Sequence, residues 1–270
     1  MSNMNTIEFI GIPGTGKSYI RDKLLNQLNR TSSGKYLTAE DCFLIAAKDN
    51  IDKHLRYLIK LLPDFVLSKN FSRIQNRSQW QFDMQNQFIA NYAEAFNIFL
   101  TSNQYKSLSL NDRKILINYF LDAGSLYQCV EQHCDKETGV LFDEGMLQKS
   151  MMFVSLSSND TDDLQRITSL YLSTIPCSDF IVHVKADIET CHERLKYRSR
   201  GLPMRMKSFD DESINEFLSL SSRHFNDISY QLKNNPKHTV LEIDNSDSSL
   251  IDHRVEEVVN LINEAKPTTK

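Results

Sequence analysis

Apolar positions along this chain follow two rhythms. Short, densely apolar runs rich in β-branched and aromatic residues occur at 6–12, 35–37, 140–142, 180–184 and 240–243, and each predicts a buried strand. Between them the apolar residues recur every three or four positions. Ile20, Leu24, Leu25 and Leu28 mark a helix over 17–29, and similar spacing predicts helices over 164–172, 188–197, 214–232 and 250–265. From about 40 to 135 only the helical rhythm is present. Its stripes are Leu55, Leu58, Ile59 and Leu62, then Phe88, Ile89, Tyr92, Phe96 and Phe99, then Ile115, Leu116, Tyr119, Phe120 and Leu126. Strands alternating with helices predict an α/β fold with a three-layer core around a mainly parallel sheet. The 40–135 stretch reads as a helical insertion into that core. The expected organisation is one domain over 1–270, with its core at 1–39 and 136–266 and a lid at about 198–208.

Ligands of such sheets sit at the carboxyl ends of the strands, and chemically distinctive segments fall there. Gly11-Ile12-Pro13-Gly14-Thr15-Gly16-Lys17-Ser18 fits G-x-x-x-x-G-K-[ST] at every fixed position, between an expected strand and an expected helix. Glycines let the backbone wrap closely round phosphates, and successive N–H groups form an anion nest. The following helix adds its positive end, Lys17 reaches the β- and γ-phosphates, and Ser18 can ligate Mg²⁺. Tyr19 follows directly. Asp143 and Glu144 end the apolar run 140–142, the Walker B pattern, in which Asp143 is the second expected Mg²⁺ ligand. Glu144 is open between polarising a water and orienting a substrate or a lid arginine.

Two further regions carry charge. Arg194, Lys196, Arg198, Arg200, Arg205 and Lys207 crowd around Gly201 and Pro203, which predicts a basic loop able to close over a moving phosphoryl group. Its expected catalytic members are Arg198, Arg200 and Arg205. Glu40 and Asp41 follow the second strand, where a carboxylate can serve a hydroxyl acceptor as base. They also fit a capping box opened by Thr38, and the sequence leaves the two readings level. Arg73 and Arg77 with Trp80 and Phe82 fit either an acceptor pocket or, in the better reading, a helix boundary with core aromatics.

Composition adds exclusions. The net charge of −4 argues against a dedicated nucleic-acid binder. Five cysteines without Cys-x-x-Cys spacing point to a reduced, cytoplasmic protein without a thiolate metal site. No apolar run reaches membrane-spanning length, and no basic stretch precedes the first strand, so neither a membrane span nor a signal peptide is expected.

Together the phosphate loop, the basic loop and the last strand with Asn245 resemble the nucleoside and nucleoside-monophosphate kinases of the P-loop class, thymidylate kinases in particular. The stretch from Pro176 and Asp179 through Asp187, Arg194 and Arg198 looks like that group's segment leading into an arginine-rich lid. The resemblance covers roughly 6–34 and 136–265. It implies ATP as donor, Mg²⁺, and a lid carrying Arg198, Arg200 and Arg205, with Arg194 and Asn245 near the nucleotide. The chain departs from the group on the acceptor side. Asp143-Glu144-Gly145 replaces the Asp-Arg or Glu-Arg-Ser seen there, and the 40–135 insertion has no counterpart. The expected activity is ATP-dependent transfer of a γ-phosphoryl group to a small-molecule acceptor: a nucleoside, nucleotide or sugar. An ATPase using Glu144, or a low-turnover nucleotide-binding regulator, are the alternatives, and a homodimer is compatible with each.

Overall fold

A computed structural model describes residues 5–32, 34–50, 79–156, 161–199 and 201–265, except for the side chains of residues 49, 50 and 161. Five strands form one sheet: β1 (Thr6–Ile10), β2 (Tyr36–Thr38), β3 (Gly139–Phe142), β4 (Phe180–Lys185) and β5 (Thr239–Asp244). Their order is β2-β3-β1-β4-β5, with every neighbouring pair parallel. β1 is therefore central. From it the chain goes out to the β2 edge, comes back beside it as β3, and crosses to β4 and β5 on the other side, so the end of β1 is a switch point of the kind at which such sheets bind ligands. The strand expected to run to Ile12 stops at Ile10, because Gly11 turns to φ 146° and leaves the extended region.

The all-parallel sheet is covered on both faces, as its near-continuous apolar strands require. Alternate residues of β1 divide between two cores. Ile7 and Phe9 point to the face covered by α1 (Lys17–Thr31) and by the last helix, Ile251–Glu264, where Ile20, Leu24, Val255 and Ile262 meet them. Ile10 points to the opposite face, where the larger core continues from Phe142 and Ile181 into the region inserted between β2 and β3. That region contains α2 (Ala39–Asn50), α3 (Gln79–Asn91), α4 (Ala93–Thr101), α5 (Asn103–Ser107) and α6 (Leu110–His133). The stripe Leu55 to Leu62, like Arg73 and Arg77, lies outside the described residues. Trp80 is a core residue with its ring centroid 4.7 Å from that of Phe43, whereas Phe82 is exposed.

The same larger core joins the inserted helices to the sheet layer. Phe99 stacks on Phe120 at 5.0 Å, Phe88 meets Phe120 edge-on at 5.9 Å, and Tyr171 of the helix Thr161–Thr174 approaches Phe120 at 6.4 Å. After β3 comes a short helix, α7 (Met146–Lys149), that runs into a 3₁₀ turn, Ser150–Phe153. The segment 146–153 shows no usable periodicity because each piece is only one turn long. Further on, α9 (Ile188–Lys196) leads through a 3₁₀ turn, Met204–Met206, into α10 (Asp211–Lys233), with α8 taken as Thr161–Thr174.

Phe120 is fully buried at the meeting of α3, α4 and α8. Phe120→Ala is expected to cost about 3–5 kcal/mol of stability. The denaturant midpoint measures this, and a change below about 1 kcal/mol would show that the inserted helices do not depend on this aromatic contact.

Candidate active site

The phosphate loop is folded as its residues demand. Gly16, the residue before α1, sits at φ 85°, and a Cβ there would lie 2.6 Å from Asn245 Nδ2. Only glycine meets both conditions. No side chain caps the start of α1, so its first N–H groups and its dipole face the loop. Within the loop, Thr15 Oγ1 donates to the Ile12 carbonyl at 2.9 Å. Lys17 Nζ donates to the carbonyls of Gly11 (2.7 Å) and Ile12 (3.2 Å), and burial pulls its ammonium below the usual lysine range. The lysine is thus folded back onto the start of the loop that precedes it.

Ser18 and Asp143 come together across the sheet. Ser18 Oγ donates to Asp143 Oδ2 at 2.9 Å, and Arg21 lies 3.2 Å from the same oxygen. Asp143 Oδ1 is buried without a partner. A hydroxyl, one carboxylate with a spare oxygen and a neighbouring phosphate nest suit Mg²⁺, which keeps most of its waters and needs few protein ligands. Among the described residues, no cluster of three or more His, Cys, Asp or Glu could serve as a closed metal site.

The two acids after β2 separate. Asp41 is spent on the capping box: its carboxylate accepts from Thr38 Oγ1 at 2.8 Å, and its N–H donates to Thr38 Oγ1 at 3.0 Å. Glu40 turns toward Arg21 and Asp143 instead. Burial raises its pKa, and its Oε2 is buried without a partner.

A cavity of about 490 Å³ opens beside the loop. Its near wall is Pro13, Gly14, Gly16, Lys17, Ser18 and Tyr19, with Arg194 and Arg198 on the lid side. The far wall is Leu116 and Tyr119 of α6, Gln148 and Lys149 of α7, Met151, Met152 and Phe217. Glu144 also lines the cavity, and Lys149 Nζ donates to its Oε2 at 3.2 Å. Lys149, and then Lys17 and Arg198, outweigh burial and hold the Glu144 carboxyl below the usual range. A second, more polar cavity shares Tyr119 and is lined by Gln81, Gln85 and Asp122.

The basic segment divides by task. Arg198 is exposed at the cavity. Arg194 binds the Asn245 carbonyl at 2.9 Å and so ties α9 to the end of β5. Arg205 donates to the carbonyls of Met151 (2.8 Å) and Val154 (2.7 Å) and lies over the Phe217 ring, with burial pulling its pKa down to about 10. Its terminal nitrogens pin the Met204–Met206 turn to the far wall. Arg200 lies outside the described residues. Asn245 is buried, with its Nδ2 donating to the Thr15 carbonyl at 2.7 Å, so its side chain braces the loop.

Sequence reasoning missed the residue that braces the loop from behind. Glu8 is fully buried in β1, on the face opposite α1. Its carboxylate accepts from Tyr127 Oη (2.6 Å) and from the N–H groups of Leu147 (2.7 Å) and Gln148 (3.2 Å). The Gln148 side chain then takes the Gly11 N–H and donates to the Gly11 carbonyl, both at 3.1 Å. Burial raises the Glu8 pKa to about 7 against these bonds. The signal in the sequence was a lone acid inside an otherwise apolar strand.

Comparison with known proteins gives structural likeness only. The chain matches no protein-family model and no curated protein. Among solved structures, it aligns with a deoxyadenosine kinase from M. mycoides with the products dCMP and dCDP, over 96% of this chain and 99% of that one, at 14% identity and a TM-score of 0.48. The same enzyme with dATP gives 13% identity and 0.46 over the same shares. A thymidylate kinase from Candida albicans gives 13% and 0.47, over 97% of this chain and 93% of that one. No helix among the described residues is long and apolar enough to cross a membrane.

Glu8 makes stability depend on pH. Its folded pKa of about 7 stands above the reference 4.5, so its contribution is full below pH 4.5 and is lost as pH rises through 7. The loss amounts to about 3 kcal/mol. His183 and His224, pushed down to about 4 by burial, lose stability in the opposite direction, as pH falls below 6.5. Glu8→Gln can still accept from Leu147 and Gln148, and its unfolding free energy should fall less than the wild type's between pH 5 and 8. Parallel slopes for the two proteins would remove Glu8 as the cause.

Proposed function

We propose that this protein is an ATP-dependent phosphotransferase that moves the γ-phosphoryl group to a small-molecule acceptor of the nucleoside, nucleotide or sugar kind. The observation that carries the reading is a two-walled cavity. Its lining joins the phosphate loop and Lys17 to Leu116, Tyr119, Met151 and Met152, and its volume of about 490 Å³ is far more than a single water fills. An ATPase needs space for a water only.

In this reading, the backbone N–H groups of Gly14 and Gly16 and the start of α1 hold the β- and γ-phosphates. The Lys17 ammonium exchanges its two carbonyl partners for phosphate oxygens. Ser18 and Asp143 hold Mg²⁺, which neutralises charge on the bridging phosphates. Arg21, 3.2 Å from the Asp143 carboxylate, steadies it. Arg198 closes from the lid side on charge that grows on the moving phosphoryl group. Arg194 and Asn245 keep the loop against β5, so the nest is formed before the nucleotide arrives.

The test is ADP release from Mg·ATP, with and without pooled nucleosides, nucleotides and sugars. Release should rise with one pool, and Lys17→Ala should lower acceptor-dependent turnover at least about 10²-fold. Asp143→Asn should raise the Mg²⁺ concentration needed for half-maximal rate. Steady release that ignores every pool would replace the phosphotransferase with an ATPase.

A further inference from the structure

The far wall of the cavity narrows the choice of acceptor. We infer, resting on the phosphotransferase reading, that the acceptor is a neutral alcohol built on a planar ring, that its hydroxyl donates to Glu144, and that Lys149 is the residue that positions Glu144 to receive it.

The wall is made for a flat apolar body. Leu116, Tyr119, Met151, Met152 and Phe217 line it. Methionines adapt to a ring's faces, and the half-exposed Tyr119 adds aromatic surface, while Phe217 backs the wall beneath Arg205. The amide and the cations set in this wall are already committed. The Gln148 amide uses its oxygen and its nitrogen on Gly11. Arg205 uses both terminal nitrogens on backbone carbonyls. Lys149 is only 12% exposed, bonded to Glu144 at 3.2 Å and set 5.6 Å from the centre of the Tyr119 ring. No uncommitted cation among the described residues of this wall waits for a phosphate on the acceptor.

Glu144 is the reverse case. Its side chain is 60% exposed and fronts the same cavity as Lys17 and Arg198. A carboxylate in that place repels an anionic acceptor and welcomes an O–H donor. Glu40 does not line this cavity, which leaves Glu144, among the described residues, as the acid that a bound alcohol meets there. The transfer then balances. The acceptor O–H bond breaks and its proton passes to the Glu144 carboxylate. The oxygen forms a bond to the γ-phosphorus, and the bond from that phosphorus to the bridging oxygen breaks. Its electron pair leaves on ADP.

The experiment uses the full chain with Mg·ATP and matched pairs: nucleosides and aromatic alcohols against their own monophosphates, with the product identified by mass. At least one alcohol should be phosphorylated and its monophosphate should not. Glu144→Gln should then lower kcat about 10²-fold or more while KM for ATP stays in place. Lys149→Met should lower kcat as well, and Lys149→Arg should restore most of it. Unchanged ATP binding by Glu144→Gln verifies that the variant is folded. Phosphorylation of monophosphates but of no alcohol overturns the inference and leaves the phosphotransferase standing, as does a Glu144→Gln enzyme with full kcat. The same ADP release without any acceptor removes both.

Discussion

One buried carboxylate fixes the geometry of the site. Glu8 has no solvent and no full countercharge, so it is stable in β1 only if donors surround it. Tyr127 comes from the inserted α6, and the N–H groups of Leu147 and Gln148 come from the start of α7. Two segments remote in sequence are thereby held to the strand that carries the phosphate loop. Gln148 passes the constraint to Gly11 through two hydrogen bonds. The close approach leaves no room at Gly145, where a Cβ would stand 2.5 Å from the Glu8 carboxyl carbon. The Asp143-Glu144-Gly145 turn is thus shaped by what lies beneath it as well as by the ligand it faces.

The same constraint divides the cavity into two chemistries. On one side, backbone N–H groups, Lys17 and a helix start make a preformed positive nest. On the other, α6, the 3₁₀ turn after α7 and Phe217 make an apolar wall whose Gln148, Lys149 and Arg205 side chains already hold partners within the protein. Lys149, clamped between Glu144 and the Tyr119 ring, joins the two. The basic segment that the sequence presents as one cluster is used in three ways. Arg194 braces the phosphate loop, Arg205 pins the lid turn to the far wall, and Arg198 is the exposed cation at the cavity.

Much of this was legible in the chain itself. Strand and helix rhythms are local, so the five strands and the helices flanking them could be read to within a few residues. The phosphate loop was legible because its glycines and its lysine are consecutive and each is required by local backbone geometry. Asp143 was legible because it ends an apolar strand. The Thr38–Asp41 capping box was visible too, but only packing decided between the two acids: Asp41 closes the cap while Glu40 turns to Arg21 and Asp143.

The tertiary structure decided what depends on residues far apart in the chain. Glu8, Tyr127 and Gln148 are separated by up to 140 positions, and no periodicity links them. α7 and the 3₁₀ turn after it are single turns without a repeat to read, yet they carry Gln148, Lys149, Met151 and Met152 to the cavity. The sequence places Asn245 and Arg205 near a ligand, and the fold adds bonds from their side chains to backbone carbonyls far away in the chain. A sequence motif records which atoms must be close in one short loop. Which wall that loop faces follows from the packing of the whole sheet against its helices.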